Sequence, residues 1–251
     1  MSKKKQSGNE FIGFEDFKRM AVDPVLSCYE RIGFPNSYRE GKEDRIFADI
    51  LLKLSNLNHS NKSVLDVGPG CSELPNFIAD LCAQNSHELL WVDSAEMLQL
   101  LPDFDFAKKI PARYPDCPLL FENYTGKIDV LICYSVLHYI FMEAGFYRFL
   151  DMSLSLLAPG GQMLIGDIPN ISKRRRFFSS EAGVRFHRSF MKTNDLPKIS
   201  FNEIDFDQID DAVMMSIIQR SRSQGFDAYI VPQSVELPMA NRREDVLIVR
   251  P

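Results

Sequence analysis

The chain has 251 residues, enough for one large domain or two small ones, and its 45% hydrophobic and 25% charged content is that of an ordinary globular protein. With 29 basic against 34 acidic residues the net charge is −5, which speaks against a broad nucleic-acid-binding surface. The start, Met1-Ser2-Lys3-Lys4-Lys5, runs into polar residues, and the longest near-apolar run, Val130 to Met142, is too short to span a bilayer, so neither a secreted precursor nor an integral membrane protein is expected.

Residues 1–10 read as a solvated tip. Phe14, Phe17, Met20 and Ala21 fall at helical spacing until Asp23-Pro24 breaks the pattern. Pro24 suits the first turn of a following helix, with Val25, Leu26 and Tyr29 turned inward. Gly33 to Ser37 is a turn, and Ile46, Ile50, Leu51 and Leu54 mark the next helix. Ser63-Val64-Leu65-Asp66-Val67 is a short strand that runs into Gly68-Pro69-Gly70. Beyond it Leu74, Phe77, Ile78, Leu81 and Cys82 form one face of a helix, with Ser72 as its expected cap and Pro75 in its first turn. Leu89 to Val92 is a second strand ending at Asp93, which completes a βαβ unit.

A weaker strand lies near Lys109 to Ala112. Ile128 to Tyr134 is apolar almost throughout, as a parallel strand covered on both faces should be. Phe146, Leu150, Leu154 and Leu157 predict a helix closed by Pro159-Gly160-Gly161, and Met163 to Gly166 the next strand. After Asn170 the pattern dissolves until Val213, Met214, Ile217 and Ile218 mark another helix. Ala228 to Val231 and Val246 to Val249 suit an antiparallel pair. Alternating strands and helices finished in this way give a three-layer α/β sheet.

Asp66 stands two residues before a glycine turn at the carboxyl end of the first strand, and Gly68 and Gly70 let a ligand approach the backbone. Asp93, ending the second strand, suits a ribose diol. A dinucleotide fingerprint needs a third glycine where this chain has Glu73, and that carboxylate with Asp66 would repel a pyrophosphate. A cofactor with a sulfonium and an ammonium, S-adenosylmethionine, would be attracted instead.

Leu65 to Ser72, Val92-Asp93-Ser94, Asp129 to Tyr139 and Leu157-Ala158-Pro159-Gly160-Gly161 resemble, in order and spacing, the successive motifs of class I S-adenosylmethionine-dependent methyltransferases over about residues 46 to 170. The resemblance implies a three-layer Rossmann-like seven-stranded sheet, mostly parallel with an antiparallel C-terminal strand. It implies a methyltransferase domain at 46–251, an N-terminal helical lid at 1–45 and an acceptor-side insertion at about 171–209. It places Asp66 near the methionine amino group, Gly68 and Gly70 along the methionine moiety, Asp93 with Ser94 at the ribose, and Tyr134 or Ser135 near the sulfonium. Ser72 stands where many members have a further glycine, and the third-strand region lacks a clear acidic residue for adenine, leaving Ala112 and Arg113 as candidates. Met20 to Pro24 and Tyr38 to Lys42 are similar to methyltransferases of bacterial capsule and lipopolysaccharide gene clusters, including those that methylate a capsular phosphoramidate.

Residues 171–194 carry Lys173, Arg174, Arg175, Arg176, Arg185, Arg188 and Lys192 against Glu181 alone, a net +6 that leaves −11 for the rest. A charge run is usually a solvated face. Here it enters where acceptor-binding structure is commonly inserted, so Arg174, Arg175, Arg185 and Arg188, with Tyr38, Arg39 and Lys42 from the lid, are candidate contacts for a small anionic acceptor. His138 and His187 are the candidate catalytic bases, with Asp167 as a third; an acceptor that is already anionic would need none. Five scattered cysteines read as reduced thiols in a cytoplasm, and no histidine or cysteine spacing asks for a metal. No membrane partner is expected, and self-association stays open. So do two other readings, an RNA methyltransferase and a non-catalytic subunit with this fold.

Overall fold

The computed structural model describes residues 12–143, 145–203 and 206–251; the expected solvated tip at 1–10 lies outside them. In chain order the elements are α1 (Phe14–Val22), α2 (Cys28–Arg31), α3 (Asn36–Arg39), α4 (Glu43–Lys53), a short 3-10 turn (Ser55–Asn58), β1 (Ser63–Val67), α5 (Leu74–Gln84), β2 (Glu88–Asp93), α6 (Ala95–Leu98), β3 (Ala107–Pro111), α7 (Pro118–Tyr124), β4 (Ile128–Tyr134), α8 (Leu137–Glu143), α9 (Phe146–Leu156), β5 (Leu157–Pro169), α10 (Ile171–Phe178), α11 (Glu181–Met191), α12 (Asp211–Ser223), β6 (Asp227–Val231) and β7 (Arg243–Val249).

The seven strands form one sheet in the order β3-β2-β1-β4-β5-β7-β6. All neighbours are parallel except those of β7, which runs against both β5 and β6. Strand residues alternate between two buried layers. Leu65, Leu131 and Cys133 face Phe149, Leu154 and Ile217 of α9 and α12, while Val64, Val130 and Ile132 face Ile46, Ile50 and Ile78 of α4 and α5. Chain order reverses between β1 and β4, so the carboxyl ends of β1, β2 and β4 open on one crevice, where this architecture binds ligands.

Several expectations are corrected at the level of single elements. Pro24 does not open a helix. α2 starts at Cys28 with Ser27 as its cap, Val25 is exposed, and Tyr29 is buried as expected. Ser72 does not cap α5, whose N-cap is Glu73. Leu157 is the first residue of β5, paired with Ile128, so Pro159-Gly160-Gly161 lies within an irregular strand start. The stretch after Asn170 is a helical hairpin. α10 buries no residue and α11 only Gly183, which removes the apolar stripe by which helices are read. Side-chain caps start the two helices, Asn170 accepting from the amides of Ser172 and Lys173 and Ser180 from that of Gly183, and Phe177 and Phe178 of α10 meet Phe186 of α11. The expected lid boundary at residue 45 falls inside α4.

Candidate active site

A cavity of about 970 Å³, counting its open mouth, lies at the carboxyl ends of β1, β2 and β4. Gly68, Gly70, Asp93, Tyr134 and Ser135 line it, as do Ala112, Arg113 and Arg39. Gly68 and Gly70 both have φ of +69°, and a Cβ on Gly68 would come within 2.7 Å of Val136 Cγ2, so only glycine suits the turn. α1 contributes Phe14 and Phe17, and the α2–α3 turn contributes Ile32 and Phe34. Sequence periodicity marked Phe14 and Phe17 as apolar, and nothing in it showed that this face would cover a cavity. Glu143 holds α1 in place by accepting from the Phe14 amide at 2.9 Å and from Arg113 Nη2 at 3.2 Å.

Asp93 accepts from the Ser94 amide at 2.7 Å with Oδ1 and from the Gly70 amide at 3.4 Å with Oδ2, tying the end of β2 to the glycine turn. Burial raises its carboxyl to about 6 against these two bonds. Asp66 lies beneath the turn and does not line the cavity. It is 4% exposed, and its side chain accepts no hydrogen bond among the described residues. Burial, with Asp93 adding to it, pushes Asp66 up to about 8. Ser94 also stays out of the cavity, because its hydroxyl caps α6 by accepting from the Met97 amide at 3.1 Å.

The amino end of α5, where a dinucleotide-binding fold seats its phosphates, is filled from within. Glu43 on α4 accepts from the Leu74 amide with Oε2 at 2.7 Å, in a buried position. Burial raises its carboxyl, while the Ser72 hydroxyl, Arg39 and the amides of Leu74 and Glu73 oppose that rise. Nothing in the local sequence pointed to this contact, which spans 31 residues.

On the other side of the cavity a buried polar wall joins the ends of β4, β5 and β7. Asp167 accepts from the Ser135 hydroxyl at 2.5 Å, from Arg39 Nη2 at 3.3 Å and from Arg243 Nη1 at 2.8 Å through Oδ2. Arg39 also donates to Ser135 Oγ. Its guanidinium lies over the Phe34 ring at 4.3 Å. Ser135 and Asp167 have φ of +62° and +58°, a conformation that non-glycine residues hold only where their surroundings fix it. Gln233 bridges Asp167 and Asp245, and Lys53 pairs with Asp245 at 2.7 Å.

The expected bases fare differently from one another. Asp167 is committed to this wall. His138 is outside the cavity lining, and burial with nearby Arg243 lowers it to about 3, so its imidazole is neutral and weakly basic. His187 sits on α11 against Phe178. Of the expected anion contacts, Arg39 faces the first cavity, while Tyr38 and Lys42 line a second. Arg174, Arg185 and Arg188 are exposed; Arg174 stacks on Phe178, Arg185 pairs with Glu181, and Arg176 pairs with Asp211. Arg175 is half-buried, and neither it nor these others lines either cavity. Among the described residues no group of three or more His, Cys, Asp or Glu is placed to hold a metal, and no helix is long and apolar enough to cross a membrane.

No protein-family profile and no curated protein matches the chain. Solved structures do. A chain of the complex between the Haloferax volcanii Trm112 methyltransferase activator and a methyltransferase is similar at a TM-score of 0.56 and 14% identity, over 94% of this chain and 98% of that one. The N-methyltransferase NodS from Bradyrhizobium japonicum, solved with S-adenosyl-L-homocysteine, is similar at 0.56 and 12%, over 95% and 98%. The plantazolicin methyltransferase BpumL, solved with a substrate analogue and the same product, is similar at 0.55 and 12%, over 94% and 99%. The fold is that of the class I methyltransferases. At these identities the likeness is one of fold.

Proposed function

We propose that the chain is an S-adenosylmethionine-dependent methyltransferase acting on a small anionic acceptor. The observation that carries the reading is the charge at the glycine turn. Glu43 already occupies the helix end that a pyrophosphate would need, and Asp66 holds a buried carboxyl with no cation beside it. A pyrophosphate would find the helix end already taken by Glu43, whereas the ammonium of the donor would stabilise the ionised form of Asp66. Bound in this cavity, S-adenosylmethionine supplies an electrophilic methyl group.

The residues present fit such a donor. Asp93 has an oxygen on each side able to accept from ribose hydroxyls, with the Gly68 and Gly70 backbone beside it. Met97, Ala112, Tyr114 and Ile140 give a mostly apolar slot for a purine, and Ala112 with Arg113 keeps the adenine role proposed from sequence. Phe17, Phe34, Tyr134 and Tyr139 exclude water where Tyr134 and Ser135 would meet the sulfonium. α1 to α3 act as the lid over residues 46–251. With the donor supplying the leaving group, the work of the chain is alignment and exclusion of water. An anionic oxygen needs no base, which accords with a neutral His138 and a committed Asp167.

The neighbours include an N-methyltransferase and a plantazolicin methyltransferase, so the fold alone does not choose the methylated atom. The resemblance of residues 20–24 and 38–42 to capsule and lipopolysaccharide methyltransferases supports a phosphorylated or phosphoramidate-bearing capsule intermediate as acceptor. The test is isothermal titration with S-adenosylhomocysteine on wild type and Asp93→Ala. One saturable site, weakened about tenfold to a hundredfold by loss of charge-assisted hydrogen bonds, is expected. Absence of binding by folded wild-type protein overturns the reading.

A further inference from the structure

A second cavity, of about 1320 Å³ counting its open mouth, lies between α3, the α10–α11 hairpin and the chain from Pro232 to Arg242 that joins β6 to β7. Lys42, Lys173 and Arg242 line it, and no Asp or Glu does among the described residues. Arg242 is half-buried, donates to Asn241 Oδ1 at 3.2 Å, and has no carboxylate partner among the described residues. Burial, with Arg243 and Arg174 adding to it, disfavours its charged form. Lys173 is lowered mainly by burial too, with Glu244 opposing. Lys173 donates to the Arg243 carbonyl at 2.7 Å with Glu244 at 3.9 Å, and Lys42 donates to the Ser37 carbonyl at 2.8 Å, so Arg242 is a cation of this cavity with no carboxylate beside it among the described residues.

Much of the remaining lining is apolar, with Ser37, Tyr38, Gln233 and Asn241 as its neutral polar members. Phe190 and Val235 are 60% and 93% exposed, and Phe186, Leu237 and Met239 stand beside them. A ligand covering these side chains would gain by removing them from water. Gln233, itself buried, lines the same cavity, and its Oε1 has no hydrogen-bond partner among the described residues.

We propose that this cavity binds a small organic anion with an apolar body, its anionic group held by Arg242, Lys173 and Lys42 and its body lying on Phe186, Phe190 and Met239. Taken with the methyltransferase reading, on which this step rests, the ligand is the acceptor. Tyr38 and Arg39 are adjacent in the chain and line the second and first cavities respectively. Asp167 accepts from Gln233 of the second cavity at 3.4 Å and from Ser135 of the first at 2.5 Å, so it touches a lining residue of each. The α10–α11 hairpin then contributes to binding through Lys173, Phe186 and Phe190, while its outer arginines form a solvated face.

The probe is 8-anilinonaphthalene-1-sulfonate, which pairs one negative charge with aromatic rings, followed by fluorescence titration of the full chain. One saturable site is expected, weakened about tenfold in Arg242→Ala and in Phe190→Ala and unchanged in Arg185→Ala. On wild type the uncharged analogue N-phenyl-1-naphthylamine should bind about tenfold more weakly, a comparison that needs no variant to fold. Absence of saturable binding, equal affinity for the two probes, or equal affinity across the variants overturns the assignment. Parallel titration with S-adenosylhomocysteine separates the two ideas. Donor binding that persists while the probe fails removes this cleft and leaves the methyltransferase reading standing. Loss of donor binding in wild type removes that reading whatever the probe does.

Discussion

The most exposed consequence of the site is a pH dependence of donor binding. Asp66 has a carboxyl raised to about 8, so at pH 7 about a tenth of the free protein carries it ionised. A ligand ammonium favours the ionised form and must therefore expel the proton. Affinity for S-adenosylhomocysteine should rise by about tenfold per pH unit from 6 toward 8 and then level off, a gain near 1.4 kcal/mol per unit. Titrations at pH 7 in buffers of different ionisation enthalpy should report release of about 0.9 proton. Asp93, raised to about 6, titrates with the same sign but lower down, so its contribution fades above pH 7. In Asp66→Asn the slope above pH 7 should vanish. Unliganded wild type should show the opposite trend in stability. The folded carboxyl holds its proton to higher pH than the unfolded value of 3.8, so stability is lost as pH climbs toward 8. Affinity that is flat from pH 6 to 8, with no proton released, would refute the placement of a ligand cation by Asp66.

Three further outcomes follow from named contacts. Glu43→Ala leaves the Leu74 amide and Ser72 without their buried acceptor, so a loss of about 1–3 kcal/mol is expected, with Glu43→Gln losing less because it keeps an acceptor oxygen; thermal melting of both checks this, and equal melting temperatures would discount the cap. Asp167→Ala removes the shared partner of Arg39 and Arg243, and about 3–5 kcal/mol should be lost in denaturant unfolding; a change under about 1 kcal/mol would mean that the wall does not hold the charges. His138 is lowered from 6.5 to about 3, so the unfolded chain takes the proton first as pH falls and stability drops below about 6.5. Melting of wild type and His138→Gln at pH 7 and pH 5 should show the variant losing about 2 kcal/mol less over that span, and identical losses would contradict a buried neutral imidazole.

What could be read from the sequence was what is local. The run Ser63 to Val67, the glycine turn and the helical spacing from Leu74 to Cys82 specify β1, the turn and α5 because strand, turn and helix each leave a periodic or conformational mark within about a dozen residues. The same holds for β4, an apolar run buried along its length. What could not be read was what the fold assembles from a distance. Arg39 meets Asp167 across 128 residues and Ser135 across 96. Arg39 was expected among the anion contacts of the lid, and the fold buries it over Phe34 in the wall of the first cavity. Ser135 and Asp167 take up left-handed conformations without being glycine, so no residue type announces them. The arginines of 174–188 formed a visible run because they are solvated. Arg242, a single cation outside that run, gave no such signal, yet the fold leaves it half-buried at a cavity with no carboxylate partner among the described residues.

The proposed transfer asks the two cavities to serve one reaction, and the charges around them bear on that proposal. Acids gather at the β1–β2 side, with Asp66 and Asp93 beside the glycine turn and Glu43 behind it. The β5–β7 side holds cations and acids together, with Arg39 and Arg243 paired to Asp167 at the wall, Lys173 near Glu244, and Arg242 without a carboxylate beyond it. A cationic donor and an anionic acceptor are each drawn to their own side, with the reacting atoms directed to the boundary between them. Transfer of a methyl group from a cation to an anion cancels both charges, so the transition state is less polar than the separated reactants. Water stabilises the reactants more and slows such a step, while the Phe17, Phe34, Tyr134 and Tyr139 rings keep it out. Asp167 is the partner that makes this tolerable at rest, because it neutralises the arginines at the boundary until an acceptor anion arrives. On that proposal Asp167 serves as a counter-charge, and no proton need pass through it.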